Sequence, residues 1–153
     1  GEIGELWIKS PVVTCGYWKN EKATKETIID EWLRTGDIMK FDEEGYYYVV
    51  DRKKNMFISG GENVYPAEVE RVILQFPIIK QAAVIGVPDG KWGEVGKAFL
   101  VLKEYETFDE ASFFEYCKEH LAKYKIPKHI KILDELPLND SGKIDRIKLK
   151  SIT

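Results

Sequence analysis

Cysteine, methionine and histidine are scarce in this chain, with two of each in 153 residues. Two thiols, Cys15 and Cys117, cannot build a disulfide framework or a cysteine-based metal site. They fit reduced thiols in a cytoplasmic protein. No apolar run nears the roughly 20 residues that a membrane-spanning helix needs. No secretory leader is visible, and no internal repeat or low-complexity tract occurs. Excess positive charge is missing too: the formal net charge is -3, which argues against a dedicated nucleic-acid binder. What is present is an ordinary globular composition, 44% hydrophobic, 32% charged and 12% aromatic. That length and mixture can bury a real core.

Charge is unevenly spread. Between Lys118 and Lys150 stand nine Lys/Arg against five Asp/Glu. Such a stretch serves as a solvated rim or as a surface that meets phosphates.

The first fifty residues hold short strands and loops. Residues 1–9 read as a turn feeding a strand, with Ile3, Leu6 and Ile8 apolar, Asn20 can cap a helix from Glu21 to about Ile29, and Thr35-Gly36-Asp37 reads as a turn. Residues 46–50 are aromatic and β-branched, as strands prefer. These pieces look like the edge of something larger. After Asp51 the texture changes. Pro66 suits a first helical position, and Val69, Val72, Ile73 and Phe76 follow at helical spacing until Pro77. Strands are expected at 81–87, 97–103 and 129–133. Asp109 can cap a helix to about Lys123, and a short helix follows the polar loop 139–143. The expected fold class is α+β, a small three-stranded sheet with helices.

Three motifs stand in order: Arg34-Thr35-Gly36-Asp37, then Asp51-Arg52 leading into ISGGENVYPAEVE, then Pro137-Leu138-Asn139-Asp140-Ser141-Gly142-Lys143-Ile144-Asp145-Arg146. Each alone is a common turn or surface pair. Together, along the full chain, they resemble the adenylate-forming enzymes: acyl-CoA synthetases, peptide-synthetase adenylation domains and beetle luciferases. The resemblance implies residues 1–53 as the end of a large N-terminal AMP-binding domain. It implies 54–153 as the mobile C-terminal domain, with a hinge near Lys54, and a chain that is inactive by itself.

The same resemblance implies the roles of single residues. Lys143 is the expected catalytic cation, set between carboxylate and phosphate. Asp37 and Arg52 are expected on the nucleotide's ribose. Ser59, Gly60 and Gly61 are expected along the pantetheine arm of CoA. Trp92, Tyr124 and Lys125 are expected at its nucleotide end, where related ligases can carry a basic residue in place of Ile126. ATP with magnesium is expected to be held mainly by the large domain. The reaction implied is ATP-dependent ligation of a fatty or aromatic carboxylic acid to CoA, as in ligases that include those for succinylbenzoate. A peptide-synthetase or carrier-protein acceptor and a non-catalytic nucleotide- or CoA-binding module remain as alternatives. The residues themselves do not name the acid.

Overall fold

In the computed structural model, which describes residues 2–153, Asn20 caps a helix as its position predicts. Its Oδ1 accepts from the Ala23 N–H at 3.0 Å, satisfying one of the orphan donors of a first turn. The helix, α1 (Glu21–Thr27), stops two residues before the expected end because Ile28–Ile29 pairs as strand β2. Its neighbours are β1 (Ile3–Ile8), β3 (Trp32–Phe41) and β4 (Tyr47–Arg52). Strand β3 is central: β1 pairs along one edge, while β2 and β4 share the other.

The expected Thr35-Gly36-Asp37 turn is corrected here, because β3 runs on through it. Pairing from both sides keeps the chain in the sheet, and the extra residues bulge out instead. The register slips between the Glu5–Ile38 and Trp7–Arg34 pairs of β1 and β3. Gly36 takes φ of +72°, where a side chain would be strained.

The chain divides into two units, one ending at Lys54, the other Asn55–Thr153. Among the described residues of the first, Ile38 and Asp51 alone are buried. Trp7, Tyr17, Trp18, Trp32, Tyr46 and Tyr47 stay exposed.

The second unit has a true core. Its sheet comprises β5 (Phe57–Ser59), β6 (Glu62–Val64), β7 (Ile79–Asp89), β8 (Gly93–Leu102) and β9 (His129–Ile132). Strands β7, β8 and β9 fall where strands were expected, and the short β5–β6 hairpin extends the sheet to five. β7 and β8 form a long antiparallel pair, and β9 runs parallel to β8. Alternation splits the side chains between two faces. Ala82, Val84, Ala98 and Leu100 pack with Val69 and Ile73 of α2 (Pro66–Ile73) and Phe113 and Cys117 of α3 (Glu110–His120). Ala83, Ile85, Phe99 and Val101 face the other way, under Leu136 and Leu149 of α4 (Arg146–Ser151). Burial pushes the Cys117 thiol up to about 11, so it is an inert core group.

Two helices end earlier than their apolar spacing suggests. Pro77 disfavours helical backbone at Phe76, so α2 gives way to a turn after Ile73. Leu121 is extended and ends α3. No helix of the described residues is long and apolar enough to cross a membrane.

Candidate functional site

In the first unit, Asp37 and Arg52 sit directly opposite one another on β3 and β4. Arg52 Nη1 donates to Asp37 Oδ1 at 2.7 Å. The bulge at Gly36 tips this pair outward, and both side chains keep contact with solvent, at 30% and 52% exposure. The second carboxylate oxygen of Asp37 can therefore accept from a hydroxyl while Arg52 holds the first.

The same unit holds a second charged group that sequence reading missed. Glu5 Oε2 accepts from Arg34 Nη2 at 3.2 Å and from Lys53 Nζ at 2.8 Å. Burial works to raise the Glu5 carboxyl, but hydrogen bonds from Lys53, Trp7 and Arg34 outweigh it and hold the group at about 2, against 4.5 ordinarily. A carboxyl depressed in the folded state contributes stability above its ordinary pKa and loses it as pH falls through the folded one. Glu5→Gln should therefore lower the melting temperature near neutrality and flatten its decline between pH 4.5 and about 2. Equal acid slopes for the two proteins would remove Glu5 from this role.

Lys143 lies on a loop of the second unit that is clasped by a single side chain. Asn139 Oδ1 accepts from the N–H groups of Ser141 at 3.1 Å and Lys143 at 2.9 Å, and from the Ser141 hydroxyl at 2.8 Å. The backbone closes the same loop: Asn139 N–H donates to the Lys143 carbonyl, and Asp145 N–H to that of Pro137, both at 2.8 Å. Asp145 then caps α4 through the Ile147 and Lys148 N–H groups. The Lys143 ammonium is exposed and makes no ion pair among the described residues. A stiff loop thus presents a bare cation on a flexible stem.

Of the residues expected at CoA, Ser59, Gly60, Trp92 and Tyr124 share a cavity of about 280 Å³. Lys123, Lys128, Glu62, Val95 and Ile126 complete it. Asp89 fixes the Trp92 turn by accepting from the Lys91 and Trp92 N–H groups, each at 2.9 Å, and these bonds hold its carboxyl low. The Gly60 N–H donates to the Trp92 carbonyl at 2.9 Å.

Two expectations change in detail. At Gly60 (φ +61°) a Cβ would lie 2.6 Å from Trp92 Cε3, so the open side of this glycine is filled by the indole; Gly61 faces open space but does not line the cavity. Lys125 is turned away. Its ammonium pairs with Glu68 at 2.6 Å, and it does not line the cavity. Lys128, which sequence reading passed over, stands 4.8 Å from the Trp92 ring centroid and 4.0 Å from Asp89. The cavity thus offers two aromatic rings with Lys123 and Lys128 at its rim, a surface suited to a flat ring carrying phosphates.

Lys54 lies within a single 3-10 turn, Lys53–Asn55, at the division between the two units. The described residues contain no group of three His, Cys, Asp or Glu that could hold a metal ion.

Comparison with known proteins adds to this geometry. Residues 68–143 match the family described as the AMP-binding enzyme C-terminal domain. The chain is 51% identical over 147 residues to a 2-succinylbenzoate–CoA ligase of Listeria monocytogenes serotype 4b (strain F2365), covering 96% of this chain and 31% of that protein. A ligase of the same name from Bacillus licheniformis is 50% identical over 149 residues, 97% of this chain and 31% of its own. Among solved structures, the o-succinylbenzoate CoA synthetase of Bacillus subtilis, in complex with its acyl-adenylate intermediate, superposes with a TM-score of 0.89 at 46% identity. That match covers 97% of this chain and 30% of the synthetase. An amide bond synthetase from Marinactinospora thermotolerans gives 0.90 at 33% identity, over 99% of this chain and 31% of its own. The chain therefore spans about three tenths of the length of these relatives.

Proposed function

Because the chain belongs to the adenylate-forming superfamily of AMP-binding enzymes, we propose that it supplies the lysine and the CoA-facing surface of an ATP-dependent acid–CoA ligase. The observation that carries this reading is the Lys143 loop, a cation without an ion pair among the described residues on a clasped turn. In the first half-reaction a carboxylate oxygen attacks the α-phosphorus of ATP and pyrophosphate leaves. Two anions must approach, and negative charge grows on the oxygens around phosphorus. An ammonium placed between them offsets that repulsion. The Asp37–Arg52 pair accepts from and donates to the ribose hydroxyls, which fixes the nucleotide while the bond forms. Magnesium, arriving with the triphosphate, would neutralise its charge and is assigned no ligand here.

In the second half-reaction the CoA sulfur attacks the acyl carbonyl, its proton is lost, and AMP leaves. The Gly61 turn gives the pantetheine arm an open backbone to run along. Trp92 and Tyr124 stack the adenine, and Lys123 and Lys128 meet the phosphates. Movement about Lys54 exchanges one surface for the other between the two steps.

The names of the relatives point to an aromatic acid, with 2-succinylbenzoate the first to try. The amide bond synthetase keeps an amine acceptor open as a second reading. The test is acid-dependent exchange of pyrophosphate into ATP by the complete enzyme carrying this chain, followed by capture of the acyl group by CoA or by amines. Exchange with 2-succinylbenzoate and transfer to CoA support the reading; transfer to amines alone transfers it to the second. In the same assay, Trp92→Ala should raise the KM for CoA about tenfold, within the roughly 1–3 kcal/mol that base stacking on an aromatic ring contributes. An unchanged KM would limit Trp92 to filling the space above Gly60.

A further inference from the structure

Glu70 and Arg146 are 76 positions apart and share a two-pronged ion pair. Arg146 Nη1 donates to Glu70 Oε1 at 2.9 Å, and Nη2 to Oε2 at 3.2 Å. Nη1 also donates to the Val84 carbonyl at 3.2 Å, and the Val84 N–H returns a bond to Glu70 Oε1 at 2.8 Å. Both side chains are largely withdrawn from water, at 21% and 13% exposure. Helix α2, the edge strand β7 and the first residue of α4 are thereby locked in one polar knot.

Such a pair is a weak source of net stability, since removing two charges from water offsets much of their attraction. What it does supply is geometry. A fork on a carboxylate fixes both distance and angle. Arg146 follows the Lys143 loop by three residues, at its base. There Asp145 bonds back to Pro137, and Leu149, fully buried, pins the helix below. The outer part of the loop is braced by Asn139 alone. The direction in which Lys143 leaves the unit is therefore set at the base, by Arg146.

We propose that Glu70 is a positioning residue for adenylation: through Arg146 it fixes where Lys143 is presented. This rests on the role of Lys143 given above. Glu70→Gln keeps an acceptor for the Val84 N–H and loses the ion pair. In the complete enzyme it should slow acyl-adenylate formation about tenfold, a shift of a fraction of an ångström costing less than the roughly 10²-fold of a full one, and leave thioester formation from supplied acyl-adenylate within about twofold. A variant that merely loosens the fold would depress both steps.

The deciding measurement is Glu70→Gln placed in a Lys143→Ala background. If Glu70 acts through Lys143, it should cause no further loss of adenylation there. A further loss as large as in the native background, an equal loss in both half-reactions, or no loss at all overturns the proposal. Should Glu70→Gln fail to fold, Arg146→Lys, which keeps the charge and loses the fork, carries the same decision. Full adenylation by Lys143→Ala alone would instead remove the role of Lys143, and this inference with it.

Discussion

Lys143→Ala should slow acyl-adenylate formation by about 10²-fold or more, the usual cost of losing one preorganised partner of transition-state charge. Thioester formation from supplied acyl-adenylate should stay within a few-fold. The asymmetry follows from where the charge is needed. In the first step two anions are forced together at phosphorus, and an ammonium between them acts on the transition state more than on the separate substrates. In the second step the sulfur attacks an already activated carbonyl, and a cation on the opposite surface has no such task. The structure also argues that the substitution is benign. The lysine side chain is exposed, and the loop is held by Asn139 through backbone groups that alanine keeps. Pyrophosphate exchange and single-turnover thioester formation separate the steps. An exchange rate near that of the unmodified enzyme would show that another group carries the charge.

Part of the fold was legible because its determinants are local. Asn20 and Asp109 cap the helices that follow them, as read from the sequence, each with a side-chain oxygen accepting from nearby N–H groups. Capping depends on two or three residues in sequence, so a single chain displays it. Lys143 was expected from the family resemblance; what the structure adds is that one asparagine four residues earlier shapes its turn. Asp37 and Arg52 were expected from the same resemblance, and only the β3–β4 register sets them face to face.

What stayed hidden depends on distant partners. Lys125 and Tyr124 are neighbours on one turn, yet Glu68, 57 positions earlier, draws the lysine away from the cavity that the tyrosine lines. Gly60 was expected along a ligand by resemblance, but the indole of Trp92 occupies its open side. The Thr35–Asp37 segment has turn chemistry, yet strands pairing along β3 keep it in the sheet as a bulge. Glu70 and Arg146 each stand at the end of a recognisable motif, and nothing in either motif shows that they meet. Local chemistry states what a residue can do; long-range pairing decides which of those options it takes.

The second large effect concerns Lys54. Lys53 is tied to Glu5 in the first unit, and Phe57 is buried in the core of the second. Between these anchors lies little more than one 3-10 turn, Lys53–Asn55, with Lys54 exposed in its middle. A swing of one unit about this junction must be absorbed by a few backbone torsions, as at other hinges. Proline fixes φ near −65°, a value that a 3-10 turn already uses. Lys54→Pro should therefore fit the turn at residue 54 and remove one torsion from the swing, with a modest fall in melting temperature because proline disfavours the helical backbone of Lys53 before it. Adenylation should persist within a few-fold. Thioester formation should fall by about 10²-fold, because the CoA-facing surface no longer reaches its working position and misplacement on the ångström scale has that effect. Exchange of pyrophosphate and CoA-dependent release of AMP, measured on the same preparation, resolve the two. Equal losses in both, or a thioester rate that survives, would mean that the two half-reactions need no movement at Lys54.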